Sequence, residues 1–348
     1  MTNLTKTKRL IRNIPGQTFL WIAVLIFGAS SAVTRKLTEI GAQHFMDGRN
    51  PISLCNVLFV GNLCALLFFV MIYWRQVSRE TLRRLTSREW FGLVMVAILS
   101  GALAPGLIFQ ALSLTGVSNV VLVGRLEPPL TLALSVWFLR ERVNVWEVVG
   151  AIAAFIGVTL TIVLQPPSAT GMTMGVMGVF SIGIGELLTA AGAIALATAT
   201  IIVKKRLARV PSGFYSIFRT ALGTVVFFVT ALVLYGRDHF MDVFSPFLWQ
   251  WMLLYGAVIV VGGQSFWIAG LRSSTVSVAS LVASFTPIAG ILFAYLILGE
   301  TPTQAQYIGG SIILGGITLS QIGIQRKMSP TGSMQQKAVE NSVGFKGI

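Results

Sequence analysis

The chain has 348 residues, 54% of them apolar and only 11% charged, yet its formal net charge is +14. Soluble domains carry about 25% charged residues, so the composition and a mean hydropathy of +0.78 exclude an ordinary soluble globule. The basic balance admits two partners, nucleic acid or a membrane surface, and the order of the charges along the chain decides between them.

Apolar runs of about 20 residues, enough to cross about 30 Å of hydrocarbon, fall at 17–38, 52–74, 90–112, 116–139, 145–164, 185–204, 214–235, 247–270, 275–298 and 304–324. They predict an all-α integral membrane protein with ten transmembrane helices. If the N-terminus is cytoplasmic, 20 of the 26 Lys and Arg lie on that side, 4 lie outside and 2 fall within spans. That bias is the positive-inside rule. It puts both termini in the cytoplasm, makes the basicity topological and gives no reason to expect nucleic acid. Cys55 and Cys64 sit nine residues apart on one helix, face opposite sides and cannot pair.

Val117–Leu160 and Val276–Leu319 align without a gap at an offset of 159, with 11 of the 44 positions identical. Pro128/Pro287, Glu141/Glu300, Gly150/Gly309 and Gly157/Gly316 are among them. Ten spans therefore divide into two sets of five. Five is odd, so the second set enters the membrane in the opposite sense, giving an inverted repeat. The expected organisation is a cytoplasmic tail 1–16, repeat one 17–164, a non-cytoplasmic linker 165–184, repeat two 185–324 and a cytoplasmic tail 325–348.

In the junctions, Asn144 and Thr303 are spaced three residues from Glu147 and Gln306, the pattern of a capping box. Glu141, Glu300 and Glu186 read as acids at helix starts. The glycines at 309, 310, 315 and 316 read as close-packing positions.

The charged residues within spans are the candidates for chemistry. Arg125 and Glu127, in Gly124-Arg125-Leu126-Glu127-Pro128-Pro129, lie about ten residues into the fourth span. A charge at that depth costs about 2.5–3.5 kcal/mol and must face protein or water. On an unbroken helix they would point apart, but Pro128 removes a backbone donor and opens the ladder. The repeat partner Ser284-Phe285-Thr286-Pro287 has the same break with hydroxyls in place of charges. Arg125 suits a carboxylate or phosphate as a bidentate fork. Glu127 suits an ammonium group, a proton or Arg125 itself, and the bland alternative is a buried pair that only fixes packing. Gln110, Gln264 and Arg219 are further cavity candidates, while Lys36, Lys204 and Lys205 read as interfacial anchors.

Leu139-Arg140-Glu141-Arg142 with Gly150 and Gly157, and Leu298-Gly299-Glu300-Thr301 with Gly309 and Gly316, resemble the drug/metabolite transporter superfamily, specifically its EamA-type members. Gly28 with Lys36, Gly185-Glu186-Leu187-Leu188 and Arg219 fit as well, and the similarity spans residues 17 to 324. The resemblance implies alternating access to a central cavity that carries small organic solutes such as amino acids.

The reading is then a secondary, non-ATP-driven transporter in the plasma (inner) membrane, with Arg125, Glu127, Ser284, Thr286, Gln110, Gln264 and Arg219 as substrate-binding candidates. No phosphate loop, metal cluster or cofactor motif is present in the sequence, and enzyme chemistry is not expected. The expected partners are a small-molecule solute and the bilayer, with a homodimer as an open alternative to a monomer. A passive channel would need a continuous polar stripe; a receptor or structural subunit would leave the midplane charges dispensable.

Overall fold

A computed structural model describes residues 16–44, 52, 54–73, 83, 85–140, 143–164, 173–176, 180–236, 245–273 and 282–327. Among them are ten helices: α1 Gly16–Gln43, α2 Leu54–Tyr73, α3 Ser87–Leu114, α4 Val117–Leu139, α5 Val145–Val163, α6 Ile184–Arg206, α7 Ser212–Tyr235, α8 Pro246–Ser273, α9 Thr286–Leu298 and α10 Gln304–Lys327. Eight of the ten are long and apolar enough to cross a membrane, and α9 is a shorter apolar helix. Thr173–Val176 and Phe180–Gly183 form a small antiparallel hairpin between the repeats, where the sequence had suggested only a linker. The chain is a multi-pass helical membrane protein built as two inverted five-helix repeats.

The repeat is visible in the backbone itself. α3 widens to a π-helix over Ala97–Leu103, and α8 does so over Gly256–Gly262, at the same offset of 159. α4 is interrupted by a 3₁₀ turn over Gly124–Leu126, and the turn at Ser284–Phe285 precedes α9 at the matching place. α4 closes on Arg140 with φ 53°, and α9 closes on Gly299 with φ 71°, both in the left-handed region that ends helices.

Packing obeys the same two-fold exchange. α1 lies against α8 and α9, as α6 lies against α3 and α4. α5 and α10 make the tightest pair. A Cβ placed on Gly150 would strike the carbonyl of Gly316, and one on Gly157 would meet the carbonyl of Gly309. Since 150 and 309, and 157 and 316, are repeat mates, each mate touches the other's partner, as a two-fold contact requires. Lipid tails are as apolar as leucine, so close backbone approach of this kind holds helices together where hydrophobic burial cannot. Leu122, Val123, Val158 and Ile313 fill the core where α4, α5 and α10 meet.

Candidate functional site

The proline breaks place the site. Pro128 has no N–H for the Gly124 carbonyl four residues back, and the Glu127 N–H takes it instead in a 3₁₀ bond. At the mate position, the Ala283 carbonyl is taken by the Thr286 hydroxyl at 2.6 Å. Each break is thus satisfied locally, and the side chains at it turn inward.

Two cavities meet there. The larger, about 410 Å³, is lined by Arg125, Glu127 and Thr131 of α4, Glu147 and Gly150 of α5, Thr200 of α6, Ser284, and Ser320 and Gln321 of α10. The smaller, about 210 Å³, is lined by Phe27 and Ser31 of α1, Arg125 and Glu127, Thr189 of α6 and Thr286 of α9. Arg125 and Glu127 line both. Yet among the described residues the ion pairs are those of Arg35 with Glu39 and Glu300, and of Lys36 with Glu39, so these two are not locked together. The buried Arg125 Nε has no hydrogen-bond partner.

The lining of the larger cavity runs toward one end of the bundle, and side-chain hydrogen bonds tie helices together at the other. Arg88, Arg140, Lys204, Lys205 and Arg206 mark the first, basic end, where Gly92 of α3 packs against the Arg206 side chain. Glu147, Thr200, Ser320 and Gln321 carry the cavity toward it. At the far end the described helices are tied together by side chains. Arg35 donates to the Thr115 carbonyl at 2.7 Å and lies 3.4 Å from Glu300. Glu300 accepts the Val117 and Ser118 N–H groups at 3.2 and 3.3 Å. Glu186 accepts from the Thr115 hydroxyl at 2.5 Å and from Asn119 Nδ2 at 2.9 Å, and Asn119 Oδ1 accepts from Gln306 Nε2 at 2.5 Å.

Several expected roles shift with this geometry. Glu300 caps the start of α4 rather than its own helix, and Glu186 ties α6 to α4. Thr303 and Gln306 form the full capping box. Asn144 caps α5 through the Trp146 N–H alone; Glu147 is not its box partner but is buried in the cavity wall. Glu141 lies outside the described residues, as does the Gln264 side chain. Gln110 is exposed and lines neither cavity. Arg219 packs against Gly101 of α3, away from both, with its Nε buried and unpartnered. Arg35 and Glu147 were not singled out from the sequence as site residues, although Glu147 against Gln306 is a charge difference between the copies. Among the described residues no group of three or more His, Cys, Asp or Glu could hold a metal ion.

The profile of the EamA-like transporter family matches residues 14–163 and 183–321. The chain belongs to this family. It is 44% identical over 342 residues, 97% of each chain, to a protein of Synechocystis sp. (strain ATCC 27184 / PCC 6803 / Kazusa) named as an uncharacterized transporter. It is 28% identical over 202 residues, 56% of this chain and 64% of the relative, to a Salmonella typhimurium protein named as a probable amino-acid metabolite efflux pump. A solved crystal structure aligns with a TM-score of 0.52 at 18% identity, covering 88% of this chain and 98% of its own, a likeness of fold. This EamA protein is therefore a membrane transporter.

Proposed function

We propose that the protein is a secondary transporter of small organic metabolites such as amino acids, working by alternating access around Arg125 and Glu127. One observation carries the reading: two opposite charges, in no ion-pair contact with each other, line both cavities beside the two proline breaks. A guanidinium with a free edge suits a carboxylate, and a neighbouring carboxylate suits an ammonium group. Ser284 and Thr286 supply neutral polar contacts from the opposing repeat; the Thr286 proton is committed to Ala283, which leaves its oxygen to accept. Gln110, on the outer surface, drops out of the binding set, and Arg219 has no contact with the cavity that would keep it in.

The positive-inside distribution supports cytoplasmic termini, with the basic end toward the cytoplasm. The efflux role named for the Salmonella relative is consistent with an amino-acid class of solute.

The test is uptake by liposomes containing the full chain, against a panel of amino acids, nucleobases and organic anions, with and without a proton gradient. Saturable flux of at least one solute, abolished in Arg125→Ala while that variant remains folded and inserted, is the expected result. Normal transport by Arg125→Ala would remove the site assignment.

A further inference from the structure

Among the described residues, three charged side chains line the larger cavity, and two of them are acids. Arg125 and Glu127 stand at the proline break, with Glu127 roughly three turns short of the end of α4 at Leu139. Glu147 lies in the first turn of α5, at the basic end. The wall between them is neutral, formed by Thr131 and Leu132 of α4, Ala151 and Ala154 of α5 and Ile317 of α10. The cavity is thus charged at its two ends and uncharged along its length.

The fold itself does not require an acid at position 147. The repeat mate Gln306, 6% exposed, is a neutral amide whose groups are used within the protein: Nε2 donates to Asn119, and Oε1 accepts from the Thr303 N–H. Glu147, 5% exposed, has no such use, because Asn144 caps α5 through Trp146 alone. Its Oε1 is buried and has no hydrogen-bond partner. Leaving a buried carboxylate oxygen without a donor is costly, and a carboxylate can only accept. No described residue supplies that donor, so it has to come from what enters the cavity.

We infer that Glu147 sets the specificity of the site and selects dibasic amino acids, whose side chain ends in an ammonium or guanidinium group. The inference rests on the reading of Arg125 and Glu127 as the pair that holds the amino-acid end. A neutral amino acid brings a carboxylate for Arg125 and an ammonium for Glu127, and leaves Glu147 unmatched. A dibasic one brings a second cation, carried on methylenes past the neutral wall to the basic end. That group consists of N–H donors alone, so it supplies the missing hydrogen bond and balances the second acid together.

The test compares solutes that differ at one end only. Binding of L-lysine, L-norleucine, L-serine and cadaverine to the full-length protein in lipid nanodiscs is measured by titration calorimetry. Norleucine has the carbon chain of lysine without the distal ammonium; cadaverine is lysine without its carboxylate. Lysine should bind at least about tenfold tighter than norleucine, the difference made by one charge-assisted hydrogen bond. Cadaverine should bind at least about tenfold weaker than lysine, because nothing then meets Arg125. Glu147→Gln should bring the lysine-to-norleucine ratio to about one, whereas Glu147→Asp, which keeps the acid, should retain part of it. A merely structural role for Glu147 would leave that ratio as in the wild type.

Equal binding of lysine and norleucine by the wild type overturns the inference, even if Glu147→Gln fails to fold. A lysine preference that survives Glu147→Gln overturns it too. Cadaverine bound as tightly as lysine would make the site one for diamines and overturn the amino-acid class. Serine or norleucine bound by the wild type and lost in Arg125→Ala, with no binding of lysine, overturns the dibasic class and leaves the reading of Arg125 and Glu127 standing. Binding of none of the four, or binding that Arg125→Ala does not weaken, removes that reading itself.

Discussion

The carboxylate of Glu300 holds the backbone N–H of Val117 across 183 residues of sequence. The first N–H groups of a helix have no partner within it, and here the α9–α10 junction supplies the acceptor for α4, with Arg35 beside it as counter-charge. Hydrogen bonds to a charged group are worth about 1.5–3 kcal/mol. Glu300→Ala is expected to cost about that much in a thermal or denaturant unfolding curve in detergent. Glu300→Gln, which keeps an acceptor without the charge, should cost less. Equal stability of Glu300→Ala and wild type would mean that water caps α4 as well as the carboxylate does.

Adjacent glycines on α10 should answer alanine in opposite ways. A Cβ at Gly316 would lie 2.6 Å from the Gly150 carbonyl oxygen and 2.7 Å from the Ala154 nitrogen, both backbone atoms of α5. Overpacking of that kind costs about 1–3 kcal/mol, and Gly316→Ala should show it as a lowered Tm. Gly315 has nothing within 4 Å of the added carbon, so Gly315→Ala should raise stability by about 0.5–1 kcal/mol, the ordinary gain for alanine over glycine inside a helix. Matching effects at the two positions would contradict the α5–α10 contact.

Arg140 holds a left-handed backbone where its repeat mate is Gly299. That conformation costs a residue with a Cβ about 1–2 kcal/mol. Arg140→Gly should therefore raise the Tm, and a lowered Tm would show that the exposed guanidinium contributes more than the strain removes.

Arg125→Lys keeps the charge and loses the planar fork. If the solute carboxylate is held by two parallel bonds, KM should rise about tenfold or more, one charge-assisted bond being worth about 1.5–3 kcal/mol. Unchanged KM in liposome uptake would mean that Arg125 acts as a point charge.

The fold was legible because each part of it leaves a local trace. Span length counts the helices, a constant offset marks the repeat, and Pro128 and Pro287 mark the breaks. The same trace placed Arg125 and Glu127 at one cavity. What was not legible depends on partners far away in sequence. Glu300 looks like the acid of its own junction, because nothing near it says that Val117 will be folded against it. Arg35 looks like a charge at the edge of the apolar window 17–38, whereas α1 runs on to Gln43 and leaves it two turns inside, facing Thr115. Gln110 shows the converse: a polar residue on a helix that neighbours a broken one in sequence need not face the interior, and this one is exposed.

That widened segment has a further consequence. The seven residues Ala97-Ile98-Leu99-Ser100-Gly101-Ala102-Leu103 and their mates Gly256-Ala257-Val258-Ile259-Val260-Val261-Gly262 share no identity, yet both adopt the same rare hydrogen-bonding pattern, π-helices being uncommon. Two unrelated strings would have to arrive independently at one uncommon shape, at one address. A simpler history is that the shape was already in the single-copy precursor and was inherited twice. Kinship between the halves is older than their wording, and the geometry has kept a record that the letters have lost.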